Sequence, residues 1–304
     1  MTPARFAHLA ARDDLDPVSR ALIEQGYAIV RDAVPAALVA KILDEFGDRF
    51  DRTPFSVGAF HGEWTKRFHG LLKRAPATRD LVMHRDILAA ARTILGKWSD
   101  FPQLNLSQGL SIYPGAPAQI PHRDQTMWPA PKGEMEFSFN VMWPLDPFTE
   151  ENGATKVWPG THHDHQTYKM SVDDLGAPLV AEMMPGDVFV FLGSVLHAAG
   201  SNRSALPRRG IIISYSLGWL RTYENQNLTY DRDFARTLDP ELAAMIGYRW
   251  QRPNLGTFDG QCPSVLLEDE VSDYLPTVDS FTPAQKVIVD AHLEKELAGA
   301  YAGD

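Results

Sequence analysis

Apolar and polar residues alternate along the middle of the chain in a pattern typical of β-strands. Residues 104–112 are apolar at alternating positions and end in a Tyr-Pro-Gly turn, which predicts a half-buried strand. The apolar members are Leu104, Leu106, Leu110 and Ile112. Residues 137–143 repeat the pattern, residues 188–191 follow a Pro-Gly-Asp turn, and residues 208–219 form another long segment rich in β-branched side chains.

The ends of the chain have a different pattern. Residues 18–26 predict a helix with Gly26 just past its end, residues 28–32 a short strand, and residues 35–48 a second helix. From residue 221 onward the chain is polar and irregular, with a closing helix predicted at about 283–297.

Short strands separated by Pro and Gly turns favour an antiparallel barrel or sandwich, and the lack of βαβ alternation argues against a Rossmann fold. The chain is therefore predicted to be mainly β with helical decoration. We expect a single domain over residues 1–304, with a helical layer over about 1–100, a β core over about 100–220 and a C-terminal segment over about 221–304.

Composition narrows the possible partners and the compartment. The 304-residue chain is 44% hydrophobic, carries a formal charge of −10 and has no Lys/Arg-rich run, which argues against nucleic acid or an anionic membrane as partner. It has no apolar run approaching the roughly 18 residues that span a bilayer. Its one cysteine, Cys262, cannot form an intrachain disulfide and is expected to be a surface or packing residue. With no apolar signal segment at the N-terminus, these features predict a cytoplasmic protein.

Three His-x-Asp sites are candidates for chemistry, and two have simpler interpretations. At residues 84–86, Asp86 precedes an apolar helical run that ends at Gly96, so we interpret Asp86 as a helix N-cap and Gly96 as the C′ residue. His162, His163 and His165 lie in a polar loop where histidines are usually solvated, and contact with the active site stays open for them.

The third copy, at residues 122–124, lies between prolines in a segment expected to be extended. In a strand, residues i and i+2 face the same side, so His122 and Asp124 would present an imidazole and a carboxylate to one point. His197 follows the predicted strand at 188–191 and is a candidate third ligand. Two imidazoles and one carboxylate on one face of an octahedron are the ligand set of non-haem Fe(II) oxygenases. A buried, hydrogen-bonded histidine beside an unrelated loop pair remains the alternative.

Three segments resemble the phytanoyl-CoA dioxygenase family of Fe(II)/2-oxoglutarate-dependent oxygenases: residues 114–125 (PGAPAQIPHRDQ), 151–162 (ENGATKVWPGTH) and 197–209 (HAAGSNRSALPRR). The resemblance spans most of the chain, keeps the order of the motifs, and is strongest to the branch that tailors fungal meroterpenoids and alkaloids. It implies a double-stranded β-helix core, which is a jelly roll of the cupin type, with N-terminal helices. It also implies His122, Asp124 and His197 as iron ligands, with 2-oxoglutarate and O₂ as cosubstrates.

The same resemblance implies the residues that bind the cosubstrate. Family members hold the far carboxylate of 2-oxoglutarate with an arginine eleven residues after the distal histidine, a position that Arg208 fills here. Arg209 would face the other way in a strand, and Arg203 is a weaker alternative in the loop. Gln119 and Thr155 match positions that contact 2-oxoglutarate in this branch.

The implied reaction is hydroxylation, or another oxidation, of a C–H bond in a hydrophobic small molecule, with 2-oxoglutarate converted to succinate and CO₂. No catalytic residue beyond the iron centre is expected, and Asp124 disfavours halogenation because related halogenases have a small residue in its place. Met127, Trp128 and Phe139 are candidates for the substrate pocket. The branch favours a natural-product-like substrate over an acyl-CoA, and the resemblance implies a homodimer.

Two other functions remain open at this point. One is a non-catalytic β-barrel that binds a ligand or a metal, and the other is a cupin-type metalloenzyme that does not use 2-oxoglutarate. Succinate formation distinguishes the first from an oxygenase. The second predicts metal dependence without a cosubstrate and leaves Arg208 unexplained.

Overall fold

A computed structural model describes residues 4–164 and 175–301 of the chain. The chain divides into two compact units, residues 1–230 and 231–304. The organisation as one domain over residues 1–304 stays a prediction.

The first unit is built on two antiparallel sheets. In the described residues the strands are β1 (Tyr27–Val30), β2 (Thr65–His69), β3 (Pro102–Ile112), β4 (Ser138–Pro144), β5 (Thr155–Val157), β6 (Leu179–Val180), β7 (Val188–Leu192), β8 (His197–Ala199) and β9 (Arg208–Leu217). The larger sheet has the order β1-β7-β4-β9-β3-β2, and the smaller sheet has the order β6-β5-β8. Every strand predicted from alternation is present, and the antiparallel prediction is confirmed.

Helices surround the sheets of the first unit. The described α-helices of this unit are α1 (Ala7–Ala10), α2 (Pro17–Gln25), α3 (Ala36–Phe46), α4 (Arg49–Arg52), α5 (Leu71–Arg74), α6 (Thr78–Val82), α7 (Arg85–Leu95) and α8 (Gln226–Thr229). Helix α2 begins and ends as the sequence predicts: the Asp16 carboxylate accepts a hydrogen bond from Ser19 N at 2.9 Å, and Gly26 adopts a left-handed φ of 87°.

The half-buried strand predicted at residues 104–112 is buried on both faces, because helices cover the side of the sheet that was expected to face water. A bulge between Leu104 and Leu106 also separates these two leucines: Leu104 pairs with Tyr215, and Leu106 pairs with Ser214. Since neighbouring residues of β9 face opposite sides, Leu104 and Leu106 do as well. The single apolar face predicted from alternation is therefore corrected.

The two sheets enclose a core. Leu110, Met142 and Phe189 from the larger sheet belong to one buried cluster with Val157 of the smaller sheet. The smaller sheet is extended by the backbone of residues 119–122, since Gln119 N donates to Ala199 O at 2.9 Å and His122 N donates to His197 O at 3.0 Å.

The regular elements in the described part of the second unit are helices, joined by irregular chain. It contains α9 (Arg232–Ala235), α10 (Pro240–Met245) and α11 (Pro283–Tyr301), together with a 3-10 helix at Pro263–Leu267. The closing helix predicted at about 283–297 is confirmed, and it extends to Tyr301. Cys262 precedes the 3-10 helix with a free, partly buried thiol. No helix in the described ranges has the length and apolar character needed to cross a membrane; the cytoplasmic location stays a prediction.

Candidate functional site

His122, Asp124 and His197 converge on one point. The candidate ligand atoms of the three side chains all lie within 4.8 Å of one another. His122 Nε2 is 3.6 Å from Asp124 Oδ1, and His197 Nε2 is 3.5 Å from Asp124 Oδ2. Both distances exceed those of ordinary N–H···O hydrogen bonds. The three groups therefore surround a point that a cation can occupy.

The backbone brings them together in a different way from the predicted strand. His122 forms an isolated bridge with His197, which begins β8, whereas Asp124 begins a 3-10 helix at Asp124–Met127. The prediction of an extended segment holds at Arg123 (φ −120°, ψ 127°) and fails at Asp124, where the chain turns. The three side chains thus converge because the bridge between His122 and His197 is followed by a turn at Asp124.

Each ligand side chain is oriented by a second contact. Nδ1 of His122 lies 2.9 Å from Ile120 O, and Nδ1 of His197 lies 3.2 Å from Val195 O. A ring that donates through Nδ1 presents the lone pair of Nε2, the arrangement common in metal-binding histidines. The Asn140 amide donates to Asp124 Oδ2 at 2.9 Å and fixes the carboxylate.

Electrostatics of the cluster suit a metal ion. Burial lowers the pKa of His197 to about 4, so its imidazole is neutral at neutral pH. Burial alone would raise the pKa of Asp124, but the two histidines outweigh it and lower that pKa, so the carboxylate is ionised. For His122, burial favours the neutral ring, yet contact with Asp124 raises its pKa. A cation at this ligand therefore competes with a proton.

The cluster lies in a cavity of about 300 Å³. Its apolar wall includes Leu106, Leu110, Met142, Phe191 and Ile212. Its polar groups include Arg67, Gln108, Gln119, Thr155 and Arg208. An apolar cavity with a few convergent polar groups is typical of small-molecule sites.

Arg208 and Arg209 occupy opposite faces of β9. Arg208 is 2% exposed and lines the cavity, with its guanidinium carbon 4.1 Å from the centre of the Phe148 ring. Its Nε and Nη1 have no hydrogen-bond partner in the described part of the chain. Arg209 instead makes a two-pronged contact with Asp146, with Nε–Oδ2 at 2.9 Å and Nη2–Oδ1 at 2.8 Å. The choice of Arg208 over Arg209 thus agrees with the geometry.

Burial lowers the pKa of Arg208 to about 9, and the charge of Arg67 adds to the effect. The guanidinium is still protonated at neutral pH. A buried cation with free donors has a large desolvation cost that an anionic ligand would offset.

Gln119 and Thr155 also line the cavity, as the resemblance implied. The Gln119 amide donates to Phe60 O at 3.2 Å and accepts from Ala199 N at 3.3 Å, which holds it beside β8. Thr155 begins β5 and is 5% exposed. Arg203 does not line the cavity; its backbone N–H donates to Glu151 O at 2.8 Å.

Of the three predicted pocket residues, only Met127 lines the cavity. Trp128 stacks on Phe137 at 6.1 Å and donates its indole N–H to Arg221 O at 2.9 Å. Phe139 is fully buried and packs edge-on against Tyr215. Trp128 and Phe139 are thus corrected to packing residues. Phe139 lies on the face of β4 opposite Asn140 and Met142, which line the cavity.

Sequence reasoning missed Asn140, Gln108 and Arg67. Both Asn140 on β4 and Gln108 on β3 line the cavity. Gln108 interrupts the apolar face formed by Leu106, Leu110 and Ile112, whereas Asn140 lies on the opposite face of β4 from the apolar positions used for the prediction. Arg67 on β2 donates to Gln108 Oε1 at 2.8 Å. A polar residue on a face expected to be buried is the signal that could have identified Gln108.

The other His-x-Asp sites lie away from the cluster. Helix α7 begins at Arg85 with His84 at the N-cap, so Asp86 lies in the first turn and is not the predicted cap. Gly96 follows the helix in a right-handed conformation (φ −65°) and not in the left-handed one expected of a C′ glycine. A Cβ there would lie 2.5 Å from Arg92 O, which accounts for the glycine.

His162 and His163 bind the end of α2: their Nε2 atoms lie 3.0 Å from Ile23 O and 3.2 Å from Glu24 O. Neither belongs to the metal-ligating cluster. His165 lies outside the described residues.

The sequence of the chain matches the model of a known protein family. The model of the phytanoyl-CoA dioxygenase family (PhyH) matches residues 22–210, well over half of the chain. The chain belongs to the phytanoyl-CoA dioxygenase family. The resemblance inferred from the motifs and the prediction of a dioxygenase are both confirmed.

Curated relatives in this family include fungal dioxygenases. The chain is 27% identical over 265 residues to the multifunctional dioxygenase prhA of Penicillium brasilianum, covering 82% of this chain and 88% of that protein. It is 29% identical over 281 residues to the dioxygenase olcK of Penicillium canescens, covering 88% and 91%.

Solved structures support the same fold. The epimerase SnoN in complex with Fe³⁺, alpha ketoglutarate (2-oxoglutarate) and nogalamycin RO superposes with a TM-score of 0.55 at 19% identity, covering 66% of this chain and 83% of SnoN. The likeness confirms the predicted jelly-roll core.

Proposed function

We propose that the chain is an Fe(II)/2-oxoglutarate-dependent oxygenase that oxidises a C–H bond of a hydrophobic small molecule. One observation carries this proposal: the His122, Asp124 and His197 cluster shares a cavity with a buried arginine, Arg208, that has unpaired donors in the described part of the chain. The three clustered side chains fit a divalent metal, and the guanidinium of Arg208 fits a carboxylate.

The three side chains fit the metal on the chemistry of their donors. Two oriented imidazoles and one ionised carboxylate form the ligand set that binds Fe(II) and leaves further positions open. When bound, iron supplies the oxidation with O₂, in which 2-oxoglutarate is converted to succinate and CO₂. The protein's part is to hold the ligands through the carbonyls of Ile120 and Val195 and through Asn140.

Arg208 is the anchor for the far carboxylate of 2-oxoglutarate. Its guanidinium offers a planar fork with free Nε and Nη1 donors, and the surrounding apolar wall strengthens the attraction between the charges. Gln119 and Thr155 lie in the same cavity and complete the binding site for the cosubstrate. Arg208 and Arg67 together make the cavity electropositive, which favours a dianion.

We expect the substrate to be hydrophobic and to extend beyond the cavity. The cavity of about 300 Å³ is at the lower end of the range for ligand pockets. Phe60, Met127 and Tyr223 line it and are 50%, 39% and 47% exposed, so they form an apolar mouth. A natural-product-like substrate would place its reacting carbon inside and the rest of its apolar surface against this mouth. The homodimer implied by the resemblance is part of the same proposal.

Succinate formation tests the proposed function. Purified protein with Fe(II), ascorbate and O₂ is expected to convert 2-oxoglutarate to succinate, faster when a terpenoid or alkaloid from a substrate panel is added. The His197→Ala variant is expected to form none. Stoichiometric metal binding without succinate, with or without any of the panel, would instead support a binding protein or a cupin-type enzyme.

A further inference from the structure

The chain segments that carry the three candidate ligands are paired irregularly. His122 and His197 exchange two backbone hydrogen bonds of 3.0 Å, and Gln125 N donates to Gly193 O at 3.0 Å. Three steps along the first segment therefore oppose four along the second. A regular ladder cannot fix the residues in this interval, and Asp124 lies within it.

Arg123 spans this interval through its side chain. It is 1% exposed, and its Nε donates to Ser194 O at 2.7 Å. Its Nη2 donates to Thr161 O at 2.8 Å and to Asp164 O at 3.0 Å. One side chain thus replaces the missing ladder contact and connects the segment of His122 and Asp124 to two other loops.

The groups that accept hydrogen bonds from Arg123 are connected to His197, the third candidate ligand. Ser194 lies in the turn between Leu192 and His197, and Leu196 N donates to Thr161 Oγ1 at 2.9 Å. A displacement of Arg123 would therefore move Asp124 and His197 relative to each other, even though Arg123 need not touch a metal.

The buried ion pair between Arg5 and Glu136 holds Ser194 in place through hydrogen bonds. Ser194 Oγ donates to Glu136 Oε2 at 2.6 Å, and Ser194 N donates to Glu136 Oε1 at 3.1 Å. Arg5, which lies in a 3-10 helix at Ala4–Phe6, donates through Nη2 to Glu136 Oε2 at 3.2 Å and to Ser194 Oγ at 2.9 Å. The side chains of Arg5 and Glu136 are both fully buried. The acceptor of Arg123 is therefore rigid, which a positioning contact requires.

We propose that Arg123 is a positioning residue that preorganises the metal site by holding Asp124 and His197 at the separation a metal ion needs. This inference rests on the proposed function, because it assumes that the cluster binds a metal. It assigns the middle residue of the His-Arg-Asp motif a role distinct from those of its neighbours. Outer contacts of this kind typically change metal affinity by about 10–100-fold.

The test is a Co(II) titration of the full chain without O₂, followed by the visible d–d absorption of the bound ion. We expect Arg123→Lys to weaken Co(II) binding by about tenfold and Arg123→Met by about 100-fold. The d–d bands of both variants should differ from those of the wild type because the ligand geometry changes. Because lysine keeps the positive charge and part of the length of arginine, we predict that Arg123→Lys retains more Co(II) affinity than Arg123→Met.

Arg79 provides the matched control. It is half-buried, and it donates through Nε and Nη2 to the Leu72 carbonyl at 3.2 and 3.1 Å, away from the cavity. Arg79→Lys and Arg79→Met are expected to lower the melting temperature while Co(II) affinity and the d–d spectrum stay unchanged. If Arg123→Met does not fold, Arg123→Lys against Arg79→Lys decides the question.

Two results would overturn the inference while leaving the proposed function intact: Arg123 variants that bind Co(II) within about twofold of the wild type, or Arg79 variants that lose as much affinity. The second result would show that general destabilisation suffices. A wild-type chain that binds no Co(II) and forms no succinate would overturn both proposals.

Discussion

The tripeptide His-Arg-Asp occurs at residues 84–86 and again at residues 122–124, in two different environments. In the first copy the side chains of Arg85 and Asp86 are 97% and 78% exposed at the start of α7. In the second, Arg123 is 1% exposed, and the Asp124 side chain faces two histidines at 3.5–3.6 Å.

The surrounding chain explains the difference. The first copy is followed by apolar residues at helical spacing, so its backbone enters a helix that directs Arg85 and Asp86 into solvent. The second copy pairs with β8, which supplies His197. The tripeptide alone therefore does not form a candidate metal site. The site requires the contact with His197, which is far away in sequence.

The largest contrast is expected between the two aspartates. Asp124→Ala should reduce succinate formation by on the order of 10³-fold, because it removes an anionic ligand from the metal. Asp86→Ala should leave the rate unchanged and reduce the free energy of unfolding by about 0.5 kcal/mol through the first turn of α7. The measurement is 2-oxoglutarate turnover alongside metal content. Equal losses in the two variants would break the comparison.

Arg208 and Arg209 extend the comparison to a second pair of identical residues. Arg208→Ala should weaken 2-oxoglutarate binding by about 30-fold, the equivalent of about 2 kcal/mol for hydrogen bonds to a charged group. Arg209→Ala removes a half-exposed ion pair with Asp146, so it should reduce stability by less than about 1 kcal/mol and leave the affinity unchanged. Calorimetric titration with 2-oxoglutarate measures both. The assignment of the anchor is wrong if Arg209→Ala has the larger effect on affinity.

The two histidines should differ in how the protein responds to metal. Ni(II) at 100 times its dissociation constant should stabilise the wild type by about 2.7 kcal/mol, since it binds only the folded chain. His122→Ala should lose this stabilisation, and His84→Ala should keep it. Thermal melts with and without Ni(II) give the result, and a full metal response in His122→Ala would remove this residue from the ligand set.

A small effect on stability alone is expected for His84. Its Nε2 lies 3.0 Å from Ala33 O, and its ring is 5.7 Å from the ring of Trp143. His84→Ala should therefore cost about 1 kcal/mol in the free energy of unfolding and leave Co(II) and 2-oxoglutarate affinities unchanged. Chemical denaturation together with the two titrations checks this, and a change in either affinity would give the first copy a part in the site.

The sequence predicted the strands well and their faces poorly. Alternation located β3 and β4, because a period of two is a local property of the chain. It could not show that helices cover the outer face of the sheet, so Phe139 was assigned to the pocket and Asn140 was overlooked. The bulge at β3 likewise separates Leu104 from Leu106 for a reason visible only in the pairing with β9.

The residues of the candidate site that belong to sequence motifs were predictable. His122, Asp124, His197 and Arg208 follow from spacing together with the family resemblance, and the structure brings all four to one cavity. The contacts that orient them were not predictable, because carbonyl groups such as Ser194 O have no sequence signature.

An anaerobic titration with Fe(II) and then 2-oxoglutarate tests the central claim most directly, through the weak visible charge-transfer band of a metal-bound 2-oxo acid. The account predicts this band in the wild type. It also predicts that the band is lost in His197→Ala, and that about 30-fold more cosubstrate is needed in Arg208→Ala. No band in iron-loaded wild-type protein would contradict the claim that His122, Asp124, His197 and Arg208 form one iron and 2-oxoglutarate site.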